Sequence, residues 1–187
     1  MKKITVYCGS QLGKSSIYEE GVRSFALEMA NRNMSLIYGA GRVGLMGILA
    51  DIMLEEQKEV LGIIPQKLVD REVAHQGCTE LLVVDSMRER KWLMAEKGDG
   101  FVALPGGIGT LEELFEVMTL NQLQYIQKPL AIYNLAGYFD PLLKFLHHAS
   151  KEGFLYGNME DSLIVSDDPA EIFDKMENLN TKGTPNL

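Results

Sequence analysis

The sequence predicts an α/β fold, a Rossmann-like doubly wound parallel sheet of about seven strands with helices on both faces. Short apolar runs alternate with helix-like segments along the chain, and several of the runs have no polar face. Such strands belong to parallel sheets that helices cover on both sides. Glycine-bearing turns follow the first, second and fifth predicted strands, and this topology brings all three to the carboxyl edge of the sheet, where ligands bind.

The predicted elements are bounded by turn residues and by helix caps. The strands are 3–8, 34–38, 60–64, 80–84, 101–104, 130–133 and 163–165. The helices are 16–31, 45–56, 86–97, 111–123, 139–152 and 169–176, and residues 66–78 are expected to be irregular. Ser16 with Glu19, and Ser86 with Glu89, have the spacing of a capping box at two helix starts.

Composition indicates one globular domain without a membrane or nucleic-acid partner. The chain has 187 residues, of which 46% are hydrophobic and 24% charged. We expect a single nucleotide-binding α/β domain at 1–178 and a flexible C-terminal tail at 179–187. The net charge of -8 disfavours nucleic acid, and no apolar run is long enough for a membrane span. Two cysteines without metal-ligand spacing, and the lack of a signal-peptide pattern, favour a cytoplasmic protein.

The most specific segment is residues 105–113, with the sequence PGGIGTLEE, between a predicted strand and a predicted helix. Glycines let the backbone approach a ligand closely, and the free amides of the helix start attract an anion. Thr110 can add a hydroxyl donor. The segment therefore predicts a phosphate cradle, although a tight turn with a helix cap would have a similar sequence. Its candidate ligand contacts are Gly106, Gly107, Ile108, Gly109, Thr110 and Leu111.

Two further turns are expected beside this cradle. Gly9 and Ser10 follow the first strand, where a serine either caps a helix or contacts a phosphate or ribose. The second turn, 39–44, reads G-x-G-x-x-G, and its Gly41 and Gly44 are candidates for lining a mononucleotide pocket. A dinucleotide site, with Glu59 as the ribose acid, and a purely structural turn are the alternatives.

Charged residues cluster at two predicted helix starts. Arg88, Arg90 and Lys91 lie where the helix dipole disfavours cations, which suggests that an anion or a carboxylate compensates them. A solvated basic face is the simpler interpretation. Glu112 and Glu113 follow the glycines and point about 100° apart, so one can face a ligand while the other complements the helix start.

The sequence resembles a known family, the LOG ("Lonely Guy") proteins. Residues 105–113 match the PGGxGTxxE motif of that family, and Met87 with Arg90 and Lys91 matches a second segment. The turn at 41–47 and the strand end at 9–10 match as well, so the resemblance extends over roughly residues 3–176. Ala40 departs from the family, in which many members have glycine, and this matters if position 40 needs a positive φ.

The resemblance implies hydrolysis of the N-glycosidic bond of an N6-modified AMP, which yields the free base and ribose 5-phosphate. It implies catalytic roles for Glu113 and Arg90, and a homodimer with its pocket near the subunit interface. Substrate binding is implied for Glu72, Lys91, the segment 107–113, which includes Glu112, and Thr119, with Met87 near the base. No cofactor is implied. The older description of such proteins as lysine decarboxylases would require a lysine that binds pyridoxal phosphate, and no feature of the sequence indicates one.

The sequence leaves several alternatives open. A non-catalytic carrier of a nucleotide or of molybdenum cofactor could use the same fold, although a carrier needs the cradle and not a carboxylate at the ribose. Arg90 either stabilises the departing base or holds Glu113 and the phosphate. The preferred base, plain or N6-alkylated adenine, and the physiological role, cytokinin production or nucleotide salvage, also stay open.

Overall fold

The computed structural model describes residues 1–69, 74–155 and 163–182. Its described residues form a parallel sheet of seven strands in the order β4-β3-β2-β1-β5-β6-β7, which confirms the predicted fold class. The strands are β1 Lys3–Tyr7, β2 Ser35–Tyr38, β3 Val60–Pro65, β4 Glu80–Val84, β5 Gly100–Ala103, β6 Leu130–Tyr133 and β7 Leu163–Ser166.

Helices cover both faces of the sheet. They are α1 Ile17–Asn31, α2 Gly44–Glu55, α3 Gln66–Val69, α4 Met87–Lys97, α5 Ile108–Gln122, α6 Asp140–Lys151 and α7 Pro169–Lys182, with a 3₁₀ turn at Leu135–Gly137. One core cluster joins α1, α2 and α7 to the sheet, and a second joins α4, α5 and α6 to the opposite face.

The central strands explain why the sequence has no polar face there. In β1, Ile4 and Val6 belong to the core on the α1 side, whereas Tyr7 belongs to the core on the α4 side. Thr5 also faces the α4 side and is fully buried, and its hydroxyl donates to the carbonyl oxygen of Met94 at 2.9 Å. Both faces of β1 are therefore packed, as an internal parallel strand requires.

The strand order reverses between β1 and β5. The chain builds outward from β1 to β4 and then returns to place β5 on the other side of β1. Tyr7 pairs with Ala103, and directly beyond that pair the Gly9 amide donates to the Pro105 carbonyl oxygen at 3.0 Å. The loops that follow β1 and β5 consequently lie side by side at the position where open α/β sheets form a ligand crevice.

Helix starts agree only partly with the predictions. The cap at Ser86 is confirmed, because its hydroxyl accepts the Glu89 amide at 3.1 Å, but the Glu89 carboxylate accepts the Asp85 amide in place of the Ser86 amide that a full capping box uses. The box at Ser16 is wrong, because Ser16 has helical backbone angles, φ -59° and ψ -21°, and its side chain makes no cap hydrogen bond. Helix α5 starts at Ile108, so the second half of the glycine run forms its first turn.

The last helix is longer than predicted. It continues to Lys182, four residues into the segment 179–187 that the sequence suggested as a tail. Leu179 is partly buried and packs against the core formed with α1 and α2, which explains the extension. Residues 183–187 lie outside the described part of the chain.

Ala40 provides a stability prediction, because it is fully buried in the left-handed region with φ 58°. Ala40→Gly removes backbone strain of roughly 1–2 kcal/mol. It also loses a buried methyl group of about 0.8 kcal/mol and gains about 0.4–1 kcal/mol of unfolded-state freedom. Urea denaturation should therefore show a change in the free energy of unfolding below about 1 kcal/mol, and a loss above about 2 kcal/mol would contradict this balance.

Candidate active site

Arg90 is buried at the carboxyl edge of the sheet, with its side chain 8% exposed. Its Nε donates to the carbonyl oxygen of Ile63 at 3.0 Å, and its Nη2 donates to that of Gly39 at 3.3 Å. Nη1 lies 3.6 Å from Oε1 of Glu113. Helix α4 therefore delivers a guanidinium that is anchored on the ends of β2 and β3 and faces the acid of α5.

Gly39 makes room for this guanidinium, a role that sequence reasoning missed. A Cβ atom at this position would lie 1.8 Å from Nη2 of Arg90. The first glycine of the G-x-G-x-x-G pattern is thus required by an arginine 51 residues away. Glu59, the acid that the dinucleotide alternative needs, directly precedes β3 at the opposite edge of the sheet and accepts the Ser35 hydroxyl at 3.3 Å. The acid of the dinucleotide alternative therefore lies away from the turn at 39–44.

Glu113 is the acid of the site and lies in the second turn of α5, only 6% exposed. Burial raises the pKa of Glu113 from its ordinary 4.5 to about 7, while Arg90 lowers it and the carboxylates of Glu112 and Glu116 raise it. Burial outweighs the two nearby cations, Arg90 and Lys91, because the low-dielectric surroundings disfavour the charged carboxylate. A carboxyl group that titrates near neutrality in a cleft is typical of a functional site.

A second ion-pair group lies beside this pair. Lys91 contacts Glu112 directly and lies 3.3 Å from Oε1 of Glu116, one helical turn further along α5. The hydrogen bond that Lys91 donates to the Glu112 carboxylate raises the pKa of Lys91, so the lysine stays charged. Carboxylates of α5 thus compensate the cations at the start of α4, as the sequence suggested. Met87, which is 46% exposed, places its sulfur 3.8 Å from Nη1 of Arg90.

The glycine loop offers unpaired amides to a ligand. The amides of Gly106, Gly107, Ile108 and Gly109 donate to no acceptor among the described residues. Gly107 and Gly109 have open space where a Cβ would project, so a ligand can approach the backbone there. Thr110 is buried beneath the loop, and its hydroxyl is the reason that position 106 cannot carry a side chain, since a Cβ there would lie 2.1 Å away.

A cavity of about 270 Å³ opens where β1 and β5 end. The predicted residues Gly9, Ser10, Gly106 and Gly107 line it. Gly44 packs behind this loop with φ +65°, and a Cβ on it would lie 2.2 Å from the Ser10 carbonyl carbon. The cavity adjoins α1 and α2, whereas Arg90 and Glu113 come from helices on the other face, and the glycine loop lies between them.

Other predicted site residues lie apart from the pair. Thr119 is exposed, donates its hydroxyl to the Phe115 carbonyl oxygen at 2.8 Å, and lies six residues beyond Glu113, about 9 Å along the helix. Gly41 is close to the sulfur of Met46, which a Cβ would approach to 2.8 Å. Leu111 packs partly buried against the core on the α4 side. Glu72 lies outside the described residues.

The buried acid also predicts how stability depends on pH. Because the pKa of Glu113 is about 7 in the folded state against an ordinary 4.5, the folded state holds this proton more tightly. Its contribution is fully present below pH 4.5 and is lost as the pH rises through 7, on the order of 3 kcal/mol in total. Urea denaturation at pH 5 and pH 8 should show the wild type losing stability relative to Glu113→Gln, whereas an unchanged difference would contradict the burial argument.

Neither a metal-ligand cluster nor a membrane-length helix occurs in the described part of the chain. In residues 1–69, 74–155 and 163–182, no group of three or more His, Cys, Asp and Glu side chains could hold a metal ion. No helix in these residues combines the length and the hydrophobicity that a membrane crossing requires.

Comparison with known proteins shows which family this chain belongs to. The family model described as "possible lysine decarboxylase" matches residues 46–176. A protein of Rhodococcoides fascians named cytokinin riboside 5'-monophosphate phosphoribohydrolase is 43% identical over 168 residues, which are 89% of this chain and 85% of that protein. A rice protein named probable cytokinin riboside 5'-monophosphate phosphoribohydrolase is 39% identical over 176 residues, covering 94% and 72%.

Solved structures agree on the fold. The molybdenum cofactor carrier protein of Chlamydomonas reinhardtii superposes with a TM-score of 0.71 over 96% of this chain and 98% of that chain. Its sequence is 15% identical, so the likeness concerns the fold alone. The family model matches a range that includes Arg90 and Glu113, and the two phosphoribohydrolase relatives match most of the chain. The chain therefore belongs to the LOG family, whose family model carries the older lysine decarboxylase description.

Proposed function

We propose that this chain hydrolyses the N-glycosidic bond of N6-modified adenosine 5'-monophosphates, releasing a cytokinin base or adenine and ribose 5-phosphate. The observation that carries the proposal is the buried Arg90–Glu113 pair, 3.6 Å apart, at the end of a loop with unpaired amides. The names of the relatives support an N-glycosyl hydrolase. A carrier would need the loop and would gain nothing from burying a carboxyl group against an arginine.

The glycine loop binds the 5'-phosphate in this proposal. The unpaired amides of Gly106, Gly107 and Ile108 lie at the start of α5, where the helix dipole also favours an anion. Gly9 and Ser10 lie beside the loop and line the cavity on the side of α1 and α2. The phosphate does not react, so these contacts bind it equally in the ground state and in the transition state and hold the substrate in the site.

Glu113 acts on the sugar as a carboxylate. Glycosyl transfer passes through an oxocarbenium-like transition state with positive charge on the ribose. The carboxylate of Glu113 stabilises this charge and orients the attacking water. The base leaves with the electrons of the broken C1'–N bond, the water oxygen bonds to C1', and the proton that the water loses ends on the released base. Arg90, anchored on the carbonyl oxygens of Ile63 and Gly39, holds the carboxylate in place and faces the departing base. Met87 and Lys91 contribute to substrate binding beside the pair.

The activity should depend on pH in a defined direction. Because the proposed chemistry needs the Glu113 carboxylate and the pKa of this group is about 7, kcat/KM should rise tenfold per pH unit below pH 7 and level off above it. Initial rates of base release between pH 5 and pH 9 test this. A rate that falls through the same interval would make Glu113 a proton donor instead.

A direct assay separates the enzyme from the carrier. Purified protein is incubated with AMP and with isopentenyl-AMP, and free base and ribose 5-phosphate are quantified by chromatography. Release of both products supports the hydrolase, and the ratio of the two kcat/KM values gives the preferred base. Tight nucleotide binding without any product would favour the carrier alternative, to which the fold likeness to molybdenum cofactor carriers also points.

We further propose that the protein works as a cytoplasmic homodimer. Several large apolar side chains on or beside α4 and α5 are exposed, although these helices carry the site: Trp92 is 49% exposed, Phe115 36% and Leu123 60%. A second copy of the chain would cover them and would lie next to the helices that carry Arg90 and Glu113. Light scattering after size-exclusion chromatography should give twice the chain mass of 20.9 kDa, and a mass of one chain would contradict the dimer.

A further inference from the structure

The glycine loop has an anchor that neither its sequence motif nor the Arg90–Glu113 pair explains. The hydroxyl of Tyr138 donates a hydrogen bond to the carbonyl oxygen of Gly106 at 2.6 Å. Tyr138 is 40% exposed, so burial alone does not hold its ring in this place. The bond joins the connection after β6 to the loop after β5, which are 32 residues apart. It therefore couples a second loop to the proposed phosphate cradle.

This bond completes a row of three anchored carbonyl groups. The Pro105 carbonyl accepts the Gly9 amide at 3.0 Å, the Gly106 carbonyl accepts Tyr138, and the Gly107 carbonyl accepts an amide of α5 at 3.1 Å. In a trans peptide, the carbonyl of one residue and the amide of the next point in opposite directions. Fixing the Gly106 carbonyl consequently aims the Gly107 amide away from Tyr138 and into the open side of the loop.

Gly106 and Gly107 themselves have no side chain that could hold this peptide in place. A Cβ on Gly106 would lie 2.1 Å from the Thr110 hydroxyl, and a Cβ on Gly107 would have nothing within 4 Å. A peptide between two glycines can adopt a wider range of orientations than other peptides, because glycine allows more φ and ψ values, so a hydrogen bond is needed to fix it. The orientation of the Gly107 amide therefore depends on the hydrogen bond to the carbonyl of Gly106.

The turn that carries Tyr138 is itself strained and braced. Ala136 has φ 52° and Gly137 has φ 70°, so two successive residues are left-handed and one of them is not glycine. Oδ1 of Asn134 accepts the Phe139 amide at 2.8 Å, and the buried Phe139 ring meets the Tyr138 ring edge-on at 5.0 Å. Strain that is retained beside a site indicates a functional constraint.

We propose that Tyr138 is a positioning residue that orients the Gly106–Gly107 peptide for binding the substrate's 5'-phosphate. The proposal rests on the proposed function, since it assigns the phosphate to this loop. Tyr138 acts through the backbone and touches no reacting atom. Removing its hydroxyl should weaken binding of every phosphate-bearing ligand and leave the chemical step unchanged, because the phosphate is bound equally in the ground state and the transition state.

Tyr138→Phe removes only the hydroxyl and tests this role. The KM for AMP and the inhibition constant of ribose 5-phosphate should both rise about fivefold, while kcat and the inhibition constant of adenine stay within twofold of wild type. A merely structural role would change the adenine constant and the melting temperature as well. The matched control is Tyr18→Phe, which removes a neighbouring hydroxyl and keeps the ring contact with Tyr138 at 5.7 Å.

A second measurement keeps this inference separate from the proposed function. In the wild type, NMR relaxation should give a rigid Gly107 amide, and Tyr138→Phe should lower its order parameter. If the wild type hydrolyses AMP and the variant keeps the wild-type KM, the positioning role is overturned. If the wild type hydrolyses nothing, the proposed function fails, and an unchanged Gly107 order parameter in the variant then overturns the anchor itself.

Discussion

Glu113→Gln is expected to lower the turnover of AMP by at least ~100-fold while leaving the protein folded. Glutamine has nearly the same shape as glutamate and keeps the hydrogen-bonding oxygen, but it cannot carry the negative charge that the oxocarbenium-like transition state needs. The KM should change little, because the phosphate cradle is untouched. Single-turnover measurements of base release test the chemical step directly, without a contribution from product release.

The variant also has an internal control for folding. Since Glu113 carries its charge at a cost, as its pKa of about 7 shows, the neutral glutamine should not destabilise the protein at neutral pH. At pH 5, where the wild-type carboxyl group is still largely protonated, its melting temperature should lie within about 4 °C of wild type, which corresponds to about 1 kcal/mol for a chain of this size. A variant that melts normally and retains near-wild-type turnover would remove Glu113 from the chemistry.

Gly39→Ala is expected to abolish activity almost as fully as Arg90→Ala does. The added methyl group would lie 1.8 Å from Nη2 of Arg90, so the guanidinium must leave its place or the strand end must move. Either change breaks the hydrogen bond to the Gly39 carbonyl oxygen and separates Arg90 from Glu113. A catalytic group displaced by 1 Å can cost about 100-fold in rate, and base release from AMP measures the loss.

A double-mutant cycle shows whether Gly39 acts through Arg90. If it does, the double variant Gly39→Ala with Arg90→Ala should be no less active than Arg90→Ala alone, because the second substitution has nothing further to displace. Additive losses would mean that Gly39 supports the site in another way. Ala40→Gly, the opposite exchange at the next residue, is the matched control and should keep turnover within about twofold of wild type.

The sequence predicted the fold and the place of the site for a physical reason. Apolar strands without a polar face occur only in sheets that are covered on both sides, and in such sheets the glycine turns must meet at one edge. The loops after β1 and β5 do meet there, through the bond from Gly9 to Pro105. The family motif drew attention to Arg90 and Glu113, which the structure brings to within 3.6 Å of each other.

What the sequence could not predict depends on side chains that meet across long separations. The role of Gly39 follows only from the position of Arg90, and the role of Tyr138 follows only from the path of a loop after β6. Local rules also failed where the backbone overrode them, as at Ser16, whose helical angles prevent it from capping. Ala40 illustrates the same limit, since the sequence does not determine whether its φ is positive and the structure gives 58°.

The anchoring of Arg90 on the ends of two central strands has a consequence for heat inactivation. The carbonyl groups that hold Arg90 belong to Ile63 in β3 and to Gly39, which directly follows β2. Internal strands such as these are among the last parts of a protein to unfold, since their amides exchange only through global unfolding. A guanidinium tied to them keeps its position while surface loops fray. Warming should therefore leave the intrinsic rate intact up to the melting transition, so that inactivation and unfolding follow one curve.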